Sequence, residues 1–259
     1  SQAAGMQTGL PIVAVSHSCV ATWFRAVRGT GLPDGWEWQA RLNAEGLRRA
    51  EAVVAPSRSH ADALGACYGA LPALAVIRNA VAPAAAGGGG HAVAAGRWWD
   101  EGKGGATLDA AAALCRWPVR LVGPLAGANG AAFAPRHAEP LGERSHPRTL
   151  ALLDGAGAFV SASLYEPFGL AVAEAAARGL PLVLSDIPTF RELWDGAALF
   201  FPAGDGEALA AALDRLAETP TLRLRLGHAA RRRAADYAPE AQAAAMLDLY
   251  RRLAGRTLA

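Results

Sequence analysis

From residue 91 to residue 201 the chain repeats one pattern: four to six apolar residues, a turn holding Gly, Ser or Asp, then a stretch of helical periodicity. The pattern predicts strands at 91–95, 119–122, 138–141, 158–163, 181–185 and 197–201. Between them it predicts helices at 106–115, 147–153 and 189–194, and one opening near Phe168. Three further helices, near 206–217 (capped by Asp205), 221–235 and 239–254, finish the chain. Before residue 91 the same reading gives strands at 11–16, 52–55 and 74–77. It places an amphipathic helix at 41–51 and a helix from Ser57 to about Tyr68. Residues 19–39, with Trp23, Phe24, Trp36 and Trp38 among Gly and Pro, read as a loop with short helical pieces.

Strands alternating with helices at this spacing imply α/β architecture, with parallel sheets covered on both faces. The expected organisation is two Rossmann-like doubly wound domains. Residues 1–84 form a first domain incomplete at its N-terminus, and the Ala, Pro and Gly-rich residues 85–90 form a linker. Residues 91–235 form the second domain, and 236–259 a helix packing back toward the first. Residues 1–6 read as the tail of a helix running into a Pro-led strand, so upstream residues are expected to be missing. The run from Gly87 to Gly90 lacks the strand–turn–helix context of a phosphate loop and reads as linker.

Composition narrows the function. The chain has 259 residues, is 52% hydrophobic and carries a formal charge of +2. No basic stripe interleaved with aromatics points to nucleic acid. No apolar run is long enough to span a membrane, and no secretory signal precedes the first strand. Cys19, Cys67 and Cys115 are odd in number and lack metal-ligand spacing, which suits reduced thiols in a bacterial-type cytoplasm. Arginine occurs 24 times and lysine once, at Lys103. Among so many arginines, that single lysine hints that a compact ammonium is wanted there.

Open parallel sheets bind ligands beyond the carboxyl ends of their strands, so chemistry is expected in the residues just past each strand. The strands of the second domain deliver Gly96 and Arg97 (with Lys103 beyond), Gly123, Gly142 and Glu143, Glu166 with the Phe168 turn, and Ser185 with Asp186. Glu174 is the single polar side chain between Phe168 and Ala177. A carboxylate there needs a hydrogen-bonding partner or a path to solvent. The amides of Phe168, Gly169 and Leu170 at a helix mouth make an anion cradle. An anion flanked by two carboxylates that accept hydroxyl hydrogen bonds suggests a phosphorylated sugar. Plainer readings stay open. Glu174 and Arg178 could be a solvated i, i+4 pair, and Glu166 could favour the positive helix end. Arg97 could pair with Asp100 or Glu101, and His17 could be a satisfied core or loop histidine. Trp98 and Trp99 read as packing between domains. Arg231 to Arg233 reads as the wet face of a helix, with an anionic membrane surface as the sharper alternative.

The segment Tyr165-Glu166-Pro167-Phe168-Gly169-Leu170, with Glu166 and Glu174 separated by seven residues, resembles the signature of family-four (group 1) glycosyltransferases of the GT-B fold. Residues 95–103 resemble their Gly-Arg…Lys loop, Ser16-His17 their strand-ending histidine, and Arg78-Asn79 the Asn before their interdomain linker. Ala80 departs from the glycine common there. The resemblance implies transfer of a sugar from a nucleotide-diphosphate donor to an acceptor (a glycan, lipid or small molecule), with retention of configuration. No Asp-x-Asp metal pair stands at a strand end, so a metal-independent site is expected, with no other cofactor. Arg97 and Lys103 would hold the diphosphate and stabilise it as leaving group. Glu166 would orient sugar hydroxyls, and His17 would lean over the donor sugar from the opposite domain. The amides of Phe168, Gly169 and Leu170 would touch phosphate and sugar, and Glu174 would accept from both ribose hydroxyls. Gly96 belongs to the phosphate loop, and Val122-Gly123 with Leu141-Gly142 would receive the base. The expected location is the cytoplasm, with at most peripheral contact at the inner membrane face. A nucleotide-sugar epimerase, a sugar phosphorylase and a non-catalytic nucleotide-sugar binder are the alternatives on this scaffold. A dinucleotide oxidoreductase fits worst, because no Gly-x-Gly-x-x-Gly stands after a strand.

Overall fold

The computed structural model describes residues 3–85 and 88–257. In chain order the elements are β1 (Val13–Val15), α1 (Val20–Val27), α2 (Glu37–Arg49), β2 (Ala52–Ala55), α3 (Arg58–Tyr68) and β3 (Ala75–Val76). Next are β4 (Ala92–Ala95), a 3-10 turn (Glu101–Lys103), α4 (Gly105–Ala112), β5 (Val119–Val122), β6 (Glu139–Gly142), α5 (His146–Asp154) and β7 (Ala158–Ser161). Then come α6 (Leu170–Ala177), β8 (Leu182–Ser185), α7 (Pro188–Trp194), β9 (Ala198–Phe201), α8 (Gly206–Glu218), α9 (Pro220–Ala235) and α10 (Pro239–Thr257). No described helix is long and apolar enough to cross a membrane.

The chain divides into two compact units, residues 1–80 with 239–259, and residues 81–238. The division at Ala80 falls before the compositional linker. Val81 is buried in the second unit's core and its N–H donates to the Tyr237 carbonyl at 2.8 Å, which ties this part of the chain to that unit. Ala86 and Gly87, in the middle of the expected linker and glycine run, lie outside the described residues, as do Ser1 and Gln2.

In the first unit β1, β2 and β3 form a parallel sheet in that order. β2 reads Ala-Val-Val-Ala and is buried throughout, as expected of a strand covered on both faces. One face packs with Leu47, Ala61 and Leu64 of α2 and α3. The other meets Leu249 and Leu253 of α10 through Ala52, Val54 and Ile77. The stretch expected as a loop with short helical pieces at 19–39 holds α1 and the start of α2. Cys19 caps α1, its sulfur accepting from the Thr22 N–H. Phe24 and Trp36 meet edge to face at 5.8 Å between centroids, a tertiary contact that periodicity cannot register and that supports α2 opening four residues before the expected start.

In the second unit six parallel strands run in the order β6-β5-β4-β7-β8-β9. Alternate residues feed opposite faces, as the period of a strand demands. Val93, Phe159, Leu182 and Leu184 face α5, α6, α7 and α9, through Leu153, Val172, Phe190, Trp194 and Ala230. Ala92, Ala94, Val160 and Val183 face α4 and α8, through Leu108, Ala111, Leu209 and Leu213. The chain winds outward from β4 to β6, then returns to place β7 on the other flank of β4. The strand order therefore reverses between β4 and β7, and a crevice is expected beyond their carboxyl ends.

Candidate active site

The segments leaving β4 and β7 meet at this reversal. After β4 the chain passes through Gly96, Arg97, Trp98 and Trp99, and then makes the 3-10 turn that ends on Lys103. Asp100 shapes that turn by accepting from the Gly102 N–H at 3.0 Å. Lys103 thus stands on a separate turn rather than at the opening of the next helix, and α4 starts two residues later. The Gly102 carbonyl accepts from the Leu164 N–H at 2.9 Å, which fastens this turn to the segment after β7. A few atoms away, Lys103 Nζ donates to Glu166 Oε2 at 2.6 Å; the two side chains are only 20% and 17% exposed.

Arg97 behaves differently. Its side chain is 61% exposed, with one nitrogen 3.4 Å from Asp100 Oδ2 and the guanidinium 5.5 Å from the centre of the Trp99 ring. This loose arrangement fits the plain Arg97–Asp100 reading and leaves the guanidinium free to turn to a ligand. Trp98 corrects an expectation. It is buried in the core of the second unit, and its Nε1–H donates to the Val122 carbonyl at 3.1 Å. That indole has a full set of partners inside one unit, so the expected role in packing between domains does not apply to it.

β7 ends at Ser161, two residues before the expected end, and α6 begins at Leu170 rather than near Phe168. Gly169 precedes it with φ of 87°, a left-handed conformation that a side chain would strain, and a Cβ there would sit 3.2 Å from Phe190. The amides that the helix leaves without an internal acceptor therefore begin at Leu170, with those of Phe168 and Gly169 in the turn before it. The Phe168 ring is buried edge to face on Tyr237 at 5.5 Å, which anchors the turn. Leu170 is half exposed at the helix mouth.

Glu174 does not form the i, i+4 surface pair with Arg178. The Arg178 side chain is nearly buried, with Nε on Asp154 Oδ1 at 2.8 Å and a terminal nitrogen on the Glu174 backbone carbonyl at 3.1 Å. The Glu174 carboxylate instead meets His146 Nε2 at 2.7 Å. Sequence reasoning missed His146, because the imidazole lies not directly after β6 but in the first turn of α5. Extending the carboxyl-edge rule from each strand end into the first turn of the next helix would have reached it.

The residues expected to receive a base are brought together. Gly96 N–H donates to the Val122 carbonyl and Gly123 N–H to the Gly142 carbonyl, each at 3.0 Å, beyond the ends of β4, β5 and β6. Gly123 has φ of 127°, and a Cβ on it would lie 1.9 Å from the Gly96 carbonyl oxygen, so only glycine lets these two loops touch. Leu141 is half-buried beside Gly142, where the β5–β6 register shifts. A further carboxylate, Asp109 on α4, fixes the approach to β6. Its Oδ1 accepts from the N–H groups of Arg136, His137 and Ala138 at 2.8, 2.8 and 2.9 Å.

In the first unit His17 is exposed just past β1. Beside it Ser16 Oγ lies 3.0 Å from the buried Nε2 of His60. Burial foremost, and then the neighbouring His17, push His60 down to about 4, against a raising contribution from the Ser16 backbone. Of the arginine run on α9, Arg231 and Arg232 are exposed, while Arg231 also donates to the Ala84 carbonyl and Arg233 reaches the Leu193 carbonyl. Among the described residues no three His, Cys, Asp or Glu side chains gather as a metal site would require. A cavity of about 350 Å³ in the second unit is lined by Gly157, Pro181, Gly227 and His228; Gly157 and Pro181 lie just before β7 and β8, so it opens at the end of the sheet opposite to Lys103 and Glu166.

A parallel six-stranded sheet with this reversal and helices on both faces is a Rossmann-like unit of the kind found in the GT-B fold. Sucrose-phosphate synthase from Thermosynechococcus elongatus superposes with a TM-score of 0.80 at 22% identity, over 94% of this chain and 68% of that one. HepE of Anabaena, in complex with UDP and glucose, gives 0.77 at 17% identity over 94% and 72%. A UDP-forming α,α-trehalose-phosphate synthase from Burkholderia vietnamiensis gives 0.71 at 14% over 94% and 66%. These likenesses establish the fold. Residues 131–233 match the family described as Glycosyl transferases group 1. Within 95 residues the chain is also 40% identical to glycogen synthase of Mycobacterium tuberculosis (strain H37Rv), a stretch that covers 36% of this chain and 23% of that enzyme. Glu166, the Phe168 turn, Glu174 and His146 fall inside the family match, whereas Arg97 and Lys103 precede it.

Proposed function

We propose that this protein is a glycosyltransferase that moves a sugar from a nucleoside-diphosphate donor to an acceptor, retaining anomeric configuration and using no metal ion. The observation that carries the reading is the Lys103–Glu166 contact of 2.6 Å, which sets an ammonium and a carboxylate side by side where the strand order reverses. An ammonium has three N–H donors, and Glu166 takes one. The other two, with the exposed guanidinium of Arg97, would bind the pyrophosphate and stabilise the charge that grows on it as the glycosidic bond breaks. These cations would do there what a divalent ion does in other transferases. Glu166 would accept from hydroxyls of the departing sugar, and the amides from Phe168 to Leu170 would hold phosphate oxygens at the helix mouth. Glu174 would accept from the ribose, and the Val122-Gly123 and Leu141-Gly142 backbone would bracket the base.

UDP is the first nucleotide to try, because HepE is described with UDP-glucose and the trehalose-phosphate synthase as UDP-forming. The test is calorimetric titration with UDP, GDP and ADP, each with and without magnesium. One of the three should bind, with an affinity that does not depend on magnesium. Failure of all three ends the proposal, and strict dependence on magnesium ends its metal-free part. Retention is what the resemblance implies; an NMR assignment of the product anomer as inverted would refute it.

A further inference from the structure

We infer that His146 is a positioning residue for ribose recognition: its imidazole holds the Glu174 carboxylate in the orientation that the vicinal hydroxyls of a nucleotide meet. This rests on the donor-site reading above and adds to it a residue from a different element. His146 opens α5, four residues beyond Gly142 at the end of β6, and Glu174 lies 28 positions later on α6. Their contact of 2.7 Å joins the loop proposed for the base to the side chain proposed for the ribose.

The exposures argue against a purely structural pair. The imidazole is 66% exposed and the Glu174 side chain 21% exposed. An ion pair or hydrogen bond so open to water adds little to stability. What it does supply is order. A carboxylate has about four acceptor positions on its two oxygens. The imidazole occupies one on Oε1, leaving the remainder of Oε1 and all of Oε2 for two hydroxyls. The other cation nearby is already committed, since Arg178 is bound to Asp154 and to the Glu174 backbone carbonyl and so does not draw the carboxylate aside. With the carboxylate plane already set, the ordering cost on binding is smaller, and the gain falls on hydroxyls that contact it.

The experiment measures binding of UDP and 2′-deoxy-UDP (or of GDP or ADP and its 2′-deoxy form, whichever base binds tightest) to the full chain, as wild type, His146→Ala and His146→Gln. Thermal unfolding of each variant is recorded alongside. The wild type should prefer the ribonucleotide. His146→Ala should lower that preference about three- to tenfold, the order of one ordinary net hydrogen bond, because the contact acts on the hydroxyls only through the Glu174 carboxylate. His146→Gln, which can donate an N–H to the same oxygen, should restore most of it, with unfolding midpoints unchanged. An unaltered preference in His146→Ala, or an equal loss for both nucleotides, overturns the inference while continued UDP binding leaves the donor site standing. If no nucleoside diphosphate binds the wild type, the donor-site reading falls and takes this one with it.

Discussion

Replacing Lys103 with alanine is the most direct probe of the proposed chemistry. In the structure the ammonium is one-fifth exposed and already bound to Glu166 at 2.6 Å, so it enters any complex oriented, with two N–H donors to offer. A hydrogen bond to a charged group contributes about 1.5–3 kcal/mol, and each 1.4 kcal/mol is about tenfold in affinity. One such bond to the pyrophosphate therefore corresponds to roughly 10- to 150-fold. The substitution also strips Glu166 of its partner and leaves a carboxylate facing the phosphates, which adds repulsion to the lost attraction. We expect Lys103→Ala to weaken UDP binding about 100-fold and uridine binding less than about threefold. Calorimetric titration of both ligands measures the difference.

The repulsive part can be separated. If Glu166 becomes an unneutralised charge in Lys103→Ala, then Lys103→Ala combined with Glu166→Gln should regain part of the lost UDP affinity, a coupling that a double-mutant cycle reads directly. Equal losses for UDP and uridine would refute a phosphate role for Lys103. Full additivity of the two substitutions would show that the 2.6 Å contact does not matter to the bound state.

Three other contacts give outcomes that can be measured. Asp109 is held below the usual carboxylate range, its burial outweighed by three backbone N–H groups. A depressed carboxyl contributes stability above its ordinary value near 3.8, which is lost as pH falls below it, so Asp109→Ala should destabilise by about 1–2 kcal/mol at neutral pH and by less in acid; urea unfolding at both pH values is the check. His60 is held neutral in the fold down to about 4, so the folded state should lose stability as pH drops from 6.5 toward 4, by at most about 3 kcal/mol, and His60→Gln should flatten that part of the profile. A slope in His60→Gln equal to the wild type's would refute the assignment. Gly169→Ala should cost about 1–2 kcal/mol through its φ of 87° and weaken UDP binding, measured by thermal unfolding and titration; an unchanged midpoint would contradict the strain.

The features legible in the sequence and those hidden from it divide along the range of the interactions involved. Strands such as β5, with four consecutive residues and a turn on each side, are set by local burial, and their expected and observed bounds agree. The carboxyl-edge rule then places Gly96, Lys103, Gly123, Gly142 and Glu166 without any knowledge of strand order, since each simply comes after a strand. The start of α6 lies two residues beyond the expected one because Phe168 looks like the first apolar position of a helix, whereas its ring is spent on Tyr237 and Gly169 turns the chain left-handed before the helix begins. The bounds of α1 are hidden for a similar reason: Trp23, Phe24 and Trp36 sit among Gly and Pro, and their packing on one another appears only once the chain is folded. The partner of Glu174 is the hardest to foresee. Spacing favours Arg178, one helical turn away, and that is the choice local rules make. Asp154, at the end of α5, takes the Arg178 guanidinium, and His146, at the start of the same helix, is left to meet the carboxylate. Both ends of α5 therefore make polar side-chain contacts with α6 and its C-cap, so the helix after the proposed base loop bears on the direction in which the proposed ribose acceptor points. A local reading ranks partners by separation along the chain; here the fold has chosen the one 28 residues away.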